Sequence, residues 1–175
     1  MLYTIGHSTR TYDELVASLQ AWDVTTLVDI RAFPRSSTNP QFDRTRLVRR
    51  LPRAGIAYLV MPALGGRRPR SQTADPARNA GWRVRSFHNY ADYAESAPFG
   101  EALASLLVLA GTSTCAIMCS EAVWWRCHRR IVTDYAITRG TRVSHIFTPT
   151  KATRATRSPF AKVDRRTKTL RYPAE

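Results

Sequence analysis

The stretch Cys115-Ala-Ile-Met-Cys119-Ser-Glu-Ala-Val-Trp-Trp-Arg-Cys127-His-Arg-Arg130-Ile-Val-Thr-Asp-Tyr-Ala-Ile137 decides how this chain folds. Cys115-Ala-Ile-Met118 is a short apolar run of the kind that forms a buried strand. Ile131 to Ile137 has apolar residues at helical spacing. Between them, two thiols, a carboxylate, an imidazole and three guanidiniums crowd one strand-to-helix crossing. Such a crossing places backbone N–H groups and the positive end of a helix beside whatever binds there, and it lowers the pKa of a nearby thiol. A site is expected here, on an α/β framework.

Working outward, the same alternation recurs. Leu2-Tyr-Thr-Ile5 reads as a strand, and Thr11-Tyr-Asp-Glu14 as a capping box opening a helix with Leu15, Leu19 and Trp22 on its apolar face. Thr25 to Ile30 predicts a second strand. Asp43 then caps a helix carrying Leu47 and Leu51, which ends near Gly55, and Ile56 to Val60 predicts a third strand. Helices are expected at about Phe87–Glu95 and Phe99–Ala110, and a last strand at Arg142–Phe147. The Pro-, Gly- and Arg-rich stretch from Arg67 to Arg85 shows no period and reads as a functional or mobile loop. The whole predicts one three-layer α/β domain over residues 1–147, with a mainly parallel sheet flanked by helices. Residues 148–175 read as a basic extension on or beside that domain, ending in a small hairpin between Val163 and Tyr172.

In such folds ligands bind beyond the carboxyl ends of the strands. His7, Asp29 with Arg31, Gly65 with Gly66, Cys119 with Glu121, and His145 all fall at predicted strand ends, so one rim is expected to gather them.

Composition narrows the function. At 175 residues and 43% hydrophobic content, the chain suits one globular domain with its own core. No apolar run is long enough to span a bilayer, and the N-terminus lacks the basic start of a signal peptide, so no membrane partner and a cytoplasmic location are expected. Three cysteines do not suggest a disulfide framework. The net charge of +14 is uneven: Arg44 to Arg85 holds eleven arginines against Asp75, and Lys151 to Glu175 holds eight bases against two acids. Arginine outnumbers lysine 24 to 3, which suits forked recognition of phosphate. The expected partners are therefore nucleic acid or a phosphorylated substrate, set against a merely solvated basic face.

These residues also carry a resemblance. Tyr3-Thr-Ile-Gly-His-Ser8, Val28-Asp-Ile-Arg31 with Pro34-Arg-Ser36, Asn39-Pro-Gln-Phe42, Leu64-Gly-Gly66, Tyr90-Ala-Asp-Tyr93, Met118-Cys-Ser-Glu121, Arg126-Cys-His-Arg129 and Val143-Ser-His-Ile146 are similar to motifs of the DUF488 family, as are Pro159-Phe-Ala and Tyr172-Pro173. The resemblance implies a compact α/β domain whose motif residues correspond to His7, Asp29, Arg31, Arg35, Cys119, Glu121, Cys127, His128, Arg129 and His145. It departs at Ser37, where relatives often carry a second arginine, and at His88, where many carry arginine. A full arginine clamp beside Arg35 and a catalytic role for His88 therefore do not follow from it.

Residue by residue, Cys119 is the expected nucleophile, needing His7, His128 or His145 as a base; the alternative is a small buried thiol. Cys115 belongs to the core. Loops of thiol phosphatases and sulfurtransferases set a cysteine and an arginine around an oxyanion. Here six residues separate Cys119 from Arg126, and Glu121 among them opposes an anion. Cys119, Cys127 and His128 offer donors for zinc or iron, but their spacing is uncommon and adjacent ligands are awkward, so no cofactor is expected. Asp29 and Arg31 face the same way on a strand, as a salt bridge or as catalytic groups. Trp124 and Trp125 suit stacking of a base, or the core. Arg126 and Arg129 are candidate phosphate ligands, and Arg129 with Arg130 alternatively solvates the helix. Three readings follow: a hydrolase or transferase acting on a nucleic-acid, nucleotide or other phosphate-bearing substrate through a cysteine or carboxylate; a non-catalytic nucleic-acid-binding module; or a thiol-based redox or metal sensor.

Overall fold

A computed structural model describes residues 1–35 and 38–174. The strand–helix alternation is realised as β1 (Leu2–Gly6), α1 (Tyr12–Gln20), β2 (Thr26–Asp29), α2 (Arg44–Arg50), β3 (Ala57–Val60), α3 (Arg85–Tyr93), α4 (Ala97–Thr112), β4 (Cys115–Cys119), α5 (Arg129–Thr138) and β5 (Val143–Thr148). β6 (Lys151–Arg154) follows, and then a hairpin of β7 (Lys162–Val163) and β8 (Leu170–Arg171). The main sheet has the order β3-β2-β4-β1-β5-β6, parallel except at β6.

Alternation along the strands feeds two cores. Leu2, Val28, Ile30, Cys115, Ile117 and Val143 pack against side chains of α3, α4 and α5. Tyr3, Ile5, Leu27, Ala116, Met118 and Ile146 pack on the opposite face with Leu15 and Leu19 of α1 and Leu47 of α2. Three layers result. Each fully buried aliphatic side chain, such as Leu103 or Leu106 of α4, contributes roughly 1.5–3 kcal/mol.

Local signals act as the residue types dictate. Thr11 and Glu14 close the capping box, with Glu14 Oε2 accepting from the Thr11 N–H at 2.7 Å and Thr11 Oγ1 accepting from the Glu14 N–H at 3.2 Å. Asp43 Oδ1 accepts from the Thr45 N–H at 2.9 Å and starts α2. Gly55, at φ 76°, turns the chain into β3 in a conformation that L side chains rarely adopt.

The C-terminal region holds one element absent from the sequence reading. Lys151-Ala-Thr-Arg154 carries no apolar alternation, yet it pairs antiparallel with β5 as an edge strand whose side chains are largely exposed. Beyond it, Ala155, Ala161, Leu170 and Tyr172 enter the α5-side core. Asp134 of α5 fastens this segment, accepting from the Ser158 N–H at 2.9 Å and the Tyr172 hydroxyl at 3.0 Å. No helix among the described residues is long and apolar enough to cross a membrane.

Because β1, β2 and β4 run parallel, their carboxyl ends meet at one edge. Pairing continues past the strands: the His7 N–H donates to Cys119 O at 3.0 Å and the Ser8 N–H to Ser120 O at 2.9 Å. A Cβ on Gly6 would lie 1.9 Å from Glu121 O, so only glycine permits this approach. The rim is thereby built from His7, Arg31 and the chain leaving β4.

Candidate functional site

From Cys119 the chain runs through a 3-10 turn at Trp124–Arg126 and returns to the rim at Cys127, just before α5. Cys127 is extended (φ −130°, ψ 146°), whereas His128 is helical (φ −56°, ψ −17°). This change of backbone lets two adjacent side chains converge. His128 Nδ1 lies 3.6 Å from Cys127 Sγ and 3.9 Å from Cys119 Sγ, and the three donor atoms are all within 4.8 Å of one another. The other ring nitrogen, Nε2, is 3.1 Å from Ile30 O. A carbonyl only accepts, so Nε2 carries a proton and Nδ1 is the ring nitrogen that faces both sulfurs. A Cβ on Gly66 would sit 2.8 Å from Nδ1, which gives that glycine a spatial reason.

The two thiols differ. Burial pushes the Cys127 thiol up, but a hydrogen bond from Cys119, the nearby Arg129 charge and bonds from Arg129 outweigh it and bring the thiol down to about 6. The Cys119 thiol is pushed up to about 12, first by that same hydrogen bond with Cys127 and then by burial. The helix-end donor, the Arg129 N–H, points at Cys127, 3.5 Å away, so of the two thiols Cys127 is the one held lower. Arg129 is only 1% exposed and does not solvate the helix. Its Nε reaches Cys127 Sγ at 3.3 Å, and its terminal nitrogen bonds to Glu121 O.

Asp29 and Arg31 form a buried pair. Asp29 accepts from the Arg31 N–H at 3.0 Å, from Arg31 Nε at 2.9 and 3.0 Å, from an Arg31 terminal nitrogen, and from the Tyr58 hydroxyl at 2.6 Å. Arg31 also donates to Phe42 O at 2.8 Å. With its oxygens occupied and its side chain 0% exposed, Asp29 has no lone pair turned to the rim. His7 bonds Ser8 O through Nδ1 at 2.9 Å, and its Nε2 lies 3.4 Å from Arg31. Burial, offset in part by the Ser8 bond, lowers His7 to about 4.

Over the Cys–Cys–His group opens a cavity of about 600 Å³. His7, Arg31, Arg35, Gly66, Cys119, Glu121, Arg126, Cys127 and His128 all line it. The remaining sequence candidates lie elsewhere. Gly65 is buried beneath the loop, where a Cβ would meet Pro62 O at 2.9 Å. β5 continues to Thr148, so His145 sits mid-strand opposite Thr4 rather than at the rim. There its Nδ1 meets Thr4 Oγ1 at 2.8 Å, and burial lowers it to about 3. Trp124 stacks on His145 at 4.4 Å and Trp125 packs edge-on to Trp124, so neither stands in the cavity. Ser37 lies outside the described residues. His88 pairs with Asp92 at 3.7 Å, away from the cavity.

Phe33 and Phe87, which the sequence reading did not single out, also line the cavity, as do Tyr90 of the Tyr90-Ala-Asp-Tyr93 motif and Arg67 at the start of the arginine-rich loop. Phe33 is 67% exposed at the lip with the Arg67 guanidinium 5.9 Å from its ring centroid. A lone Phe in a polar stretch before Pro34 was the available signal. Conversely, some of the basic charge is engaged within the chain: Arg50 lies over Tyr12 at 3.5 Å, Arg68 over Tyr93 at 3.8 Å, and Arg78 pairs with Glu95 at 2.6 Å.

Residues 11–136 match the family described as a domain of unknown function, DUF488, and the chain belongs to that family. No curated protein and no solved structure matches it.

Proposed function

We propose that this DUF488 member is an enzyme acting on a small phosphate-bearing substrate, of nucleotide size, by hydrolysis or group transfer. One observation carries the reading. A cavity of about 600 Å³ sets Arg35, Arg67 and Arg126, against Glu121 as the one carboxylate among its described lining residues, above the Cys119–Cys127–His128 group, with the Asp29-paired Arg31 in its wall. Guanidiniums in a partly desolvated cleft bind phosphate bidentately, and the volume suits one small molecule. Phe33 at the lip offers a face to a planar substituent. Asp29 is spent on Arg31 and Tyr58, so a carboxylate role falls to Glu121 and the reacting groups to the Cys–His floor. The three free cysteines suit a reducing, cytoplasmic setting.

Thermal shift and calorimetry with inorganic phosphate, pyrophosphate, nucleotides and the matching nucleosides test this. Ligand at about 100 times its Kd stabilises by about 2.7 kcal/mol. Phosphorylated compounds are expected to stabilise the protein, nucleosides much less, and Arg35→Ala/Arg126→Ala to remove the difference. Bound compounds are then followed for turnover by phosphorus NMR. Equal response to nucleosides and nucleotides, or to wild type and the arginine variant, refutes the reading.

The second reading, nucleic-acid binding, is favoured by the exposed Arg44, Arg46, Arg49 and Arg53 on and after α2. The Arg44 N–H bonds Pro34 O at 2.9 Å, so this basic face starts beside Arg35. Its signature is affinity for single- or double-stranded oligonucleotides that falls steeply with salt.

A further inference from the structure

We propose that Cys119, Cys127 and His128 hold one divalent zinc or ferrous ion through two thiolates and Nδ1, with the fourth coordination position facing the arginine-lined cavity. The geometry is the argument. Zinc–sulfur and zinc–nitrogen bonds of about 2.3 and 2.0–2.1 Å imply tetrahedral S···N edges of about 3.6 Å. The observed separations are 3.6 Å from Cys127 and 3.9 Å from Cys119. Two thiolates and an imidazole select a soft or borderline ion over magnesium or calcium.

The surroundings are those of a ligand set. His128 Nε2 is anchored on Ile30 O, which fixes the ring and leaves Nδ1 as the donor. Cys127 Sγ accepts two N–H bonds from Arg129, an outer-sphere arrangement that holds a sulfur in place. Gly66 keeps clear the space beside Nδ1. All three donors line the cavity, and with three protein ligands the site has the form of a catalytic centre rather than a closed structural one. Two thiolates neutralise the ion, so the arginines keep their charge for an anion. Cys115 lies in the β4 core and takes no part.

The inference rests on the proposed function only for the role of the fourth position. It is tested on the full chain purified without oxygen, by elemental analysis, then by chelation and titration with Co²⁺. One equivalent is expected, zinc or iron being distinguished by the analysis. The cobalt form should show thiolate charge-transfer bands and tetrahedral d–d intensity. Cys119→Ala, Cys127→Ala and His128→Gln should each weaken Co²⁺ by more than the roughly 10–100-fold that loss of an outer-sphere partner costs, with Cys115→Ala unchanged and folding followed by circular dichroism. Native-like protein that takes up no metal, cobalt bound without thiolate bands, or undiminished affinity in folded ligand variants overturns the proposal. Phosphate-dependent stabilisation without metal uptake sinks the metal site alone; metal uptake with no response to any anion sinks the proposed function alone.

Discussion

Replacing Asp29 with alanine is expected to cost the fold rather than the chemistry. The carboxylate is 0% exposed and neutralises Arg31, itself 5% exposed. Removing it strands a buried guanidinium that keeps only Phe42 O and the long contact to His7. Breaking a buried pair from one side costs about 3–5 kcal/mol. With a urea m-value of roughly 2 kcal/mol per molar, the unfolding midpoint falls by about 1.5–2.5 M. Tyr58→Phe removes only one donor to a charged group and should cost about 1.5–3 kcal/mol or less, since Tyr58 is half-buried. Asp29→Ala combined with Arg31→Ala should cost well under the sum of the two single changes, because the second removes the charge that the first strands. Urea denaturation followed by fluorescence measures all four variants. A loss below about 1 kcal/mol for Asp29→Ala, or additivity within about 0.5 kcal/mol in the cycle, refutes this reasoning. A catalytic Asp29 would behave otherwise: Asp29→Asn would unfold like wild type while turnover vanished.

Three further outcomes are expected. Burial depresses His7 to about 4 and His145 to about 3, against an unfolded value of about 6.5, so the unfolded chain takes up these protons first as pH falls. Their contribution is complete above about pH 6.5 and is lost on the way down; between pH 6 and 5 the slope approaches about 2.7 kcal/mol per pH unit. His145→Phe should roughly halve it, and a flat midpoint from pH 7 to 5 would contradict the assignment. Burial raises Asp134 despite its bonds from Ser158 and Tyr172, so its contribution is greatest in acid and declines as pH rises through the folded value. Asp134→Asn should then lie within about 1 kcal/mol of wild type at pH 7. Asp134→Ala, which orphans two donors at about 1–3 kcal/mol each, should loosen residues 155–172 to protease; equal stability of the two variants would refute this. Gly66→Ala should keep the fold, since Gly66 needs no positive φ, but push the His128 ring through a 2.8 Å contact and weaken Co²⁺ by at least tenfold; unaltered affinity would show that the ring yields freely.

The framework was legible because buried parallel strands advertise themselves as apolar runs bounded by polar residues. Thr11–Glu14, Asp43 and Gly55 marked their boundaries through capping and left-handed turns. β6 escaped because an edge strand on the sheet's open side has no face to bury, and Lys151-Ala-Thr-Arg154 says nothing by periodicity. The strand-end rule brought His7, Arg31, Cys119 and Gly66 to one edge; it misplaced His145, because β5 outruns its neighbours by turning into the β6 hairpin.

What pattern reading lacks is the account of partners. Asp29 looks equally like a base and an anchor until every donor upon it is counted, and Arg129 looks solvated until α5 is laid against the sheet. Adjacency made Cys127 and His128 seem an awkward ligand pair, an objection that assumes one backbone conformation through both residues. In a strand, neighbours point to opposite faces; here the chain passes from extended at Cys127 to helical at His128, and both donors turn inward. The same step sets the Arg129 N–H on the sulfur. A strand-to-helix crossing therefore does more than expose a thiol to a helix end. It converts a sequence neighbour into a second donor, and the motif Arg126-Cys-His-Arg129 is compact because the geometry of one turn lets a single junction supply the sulfur, the imidazole and the arginine behind them.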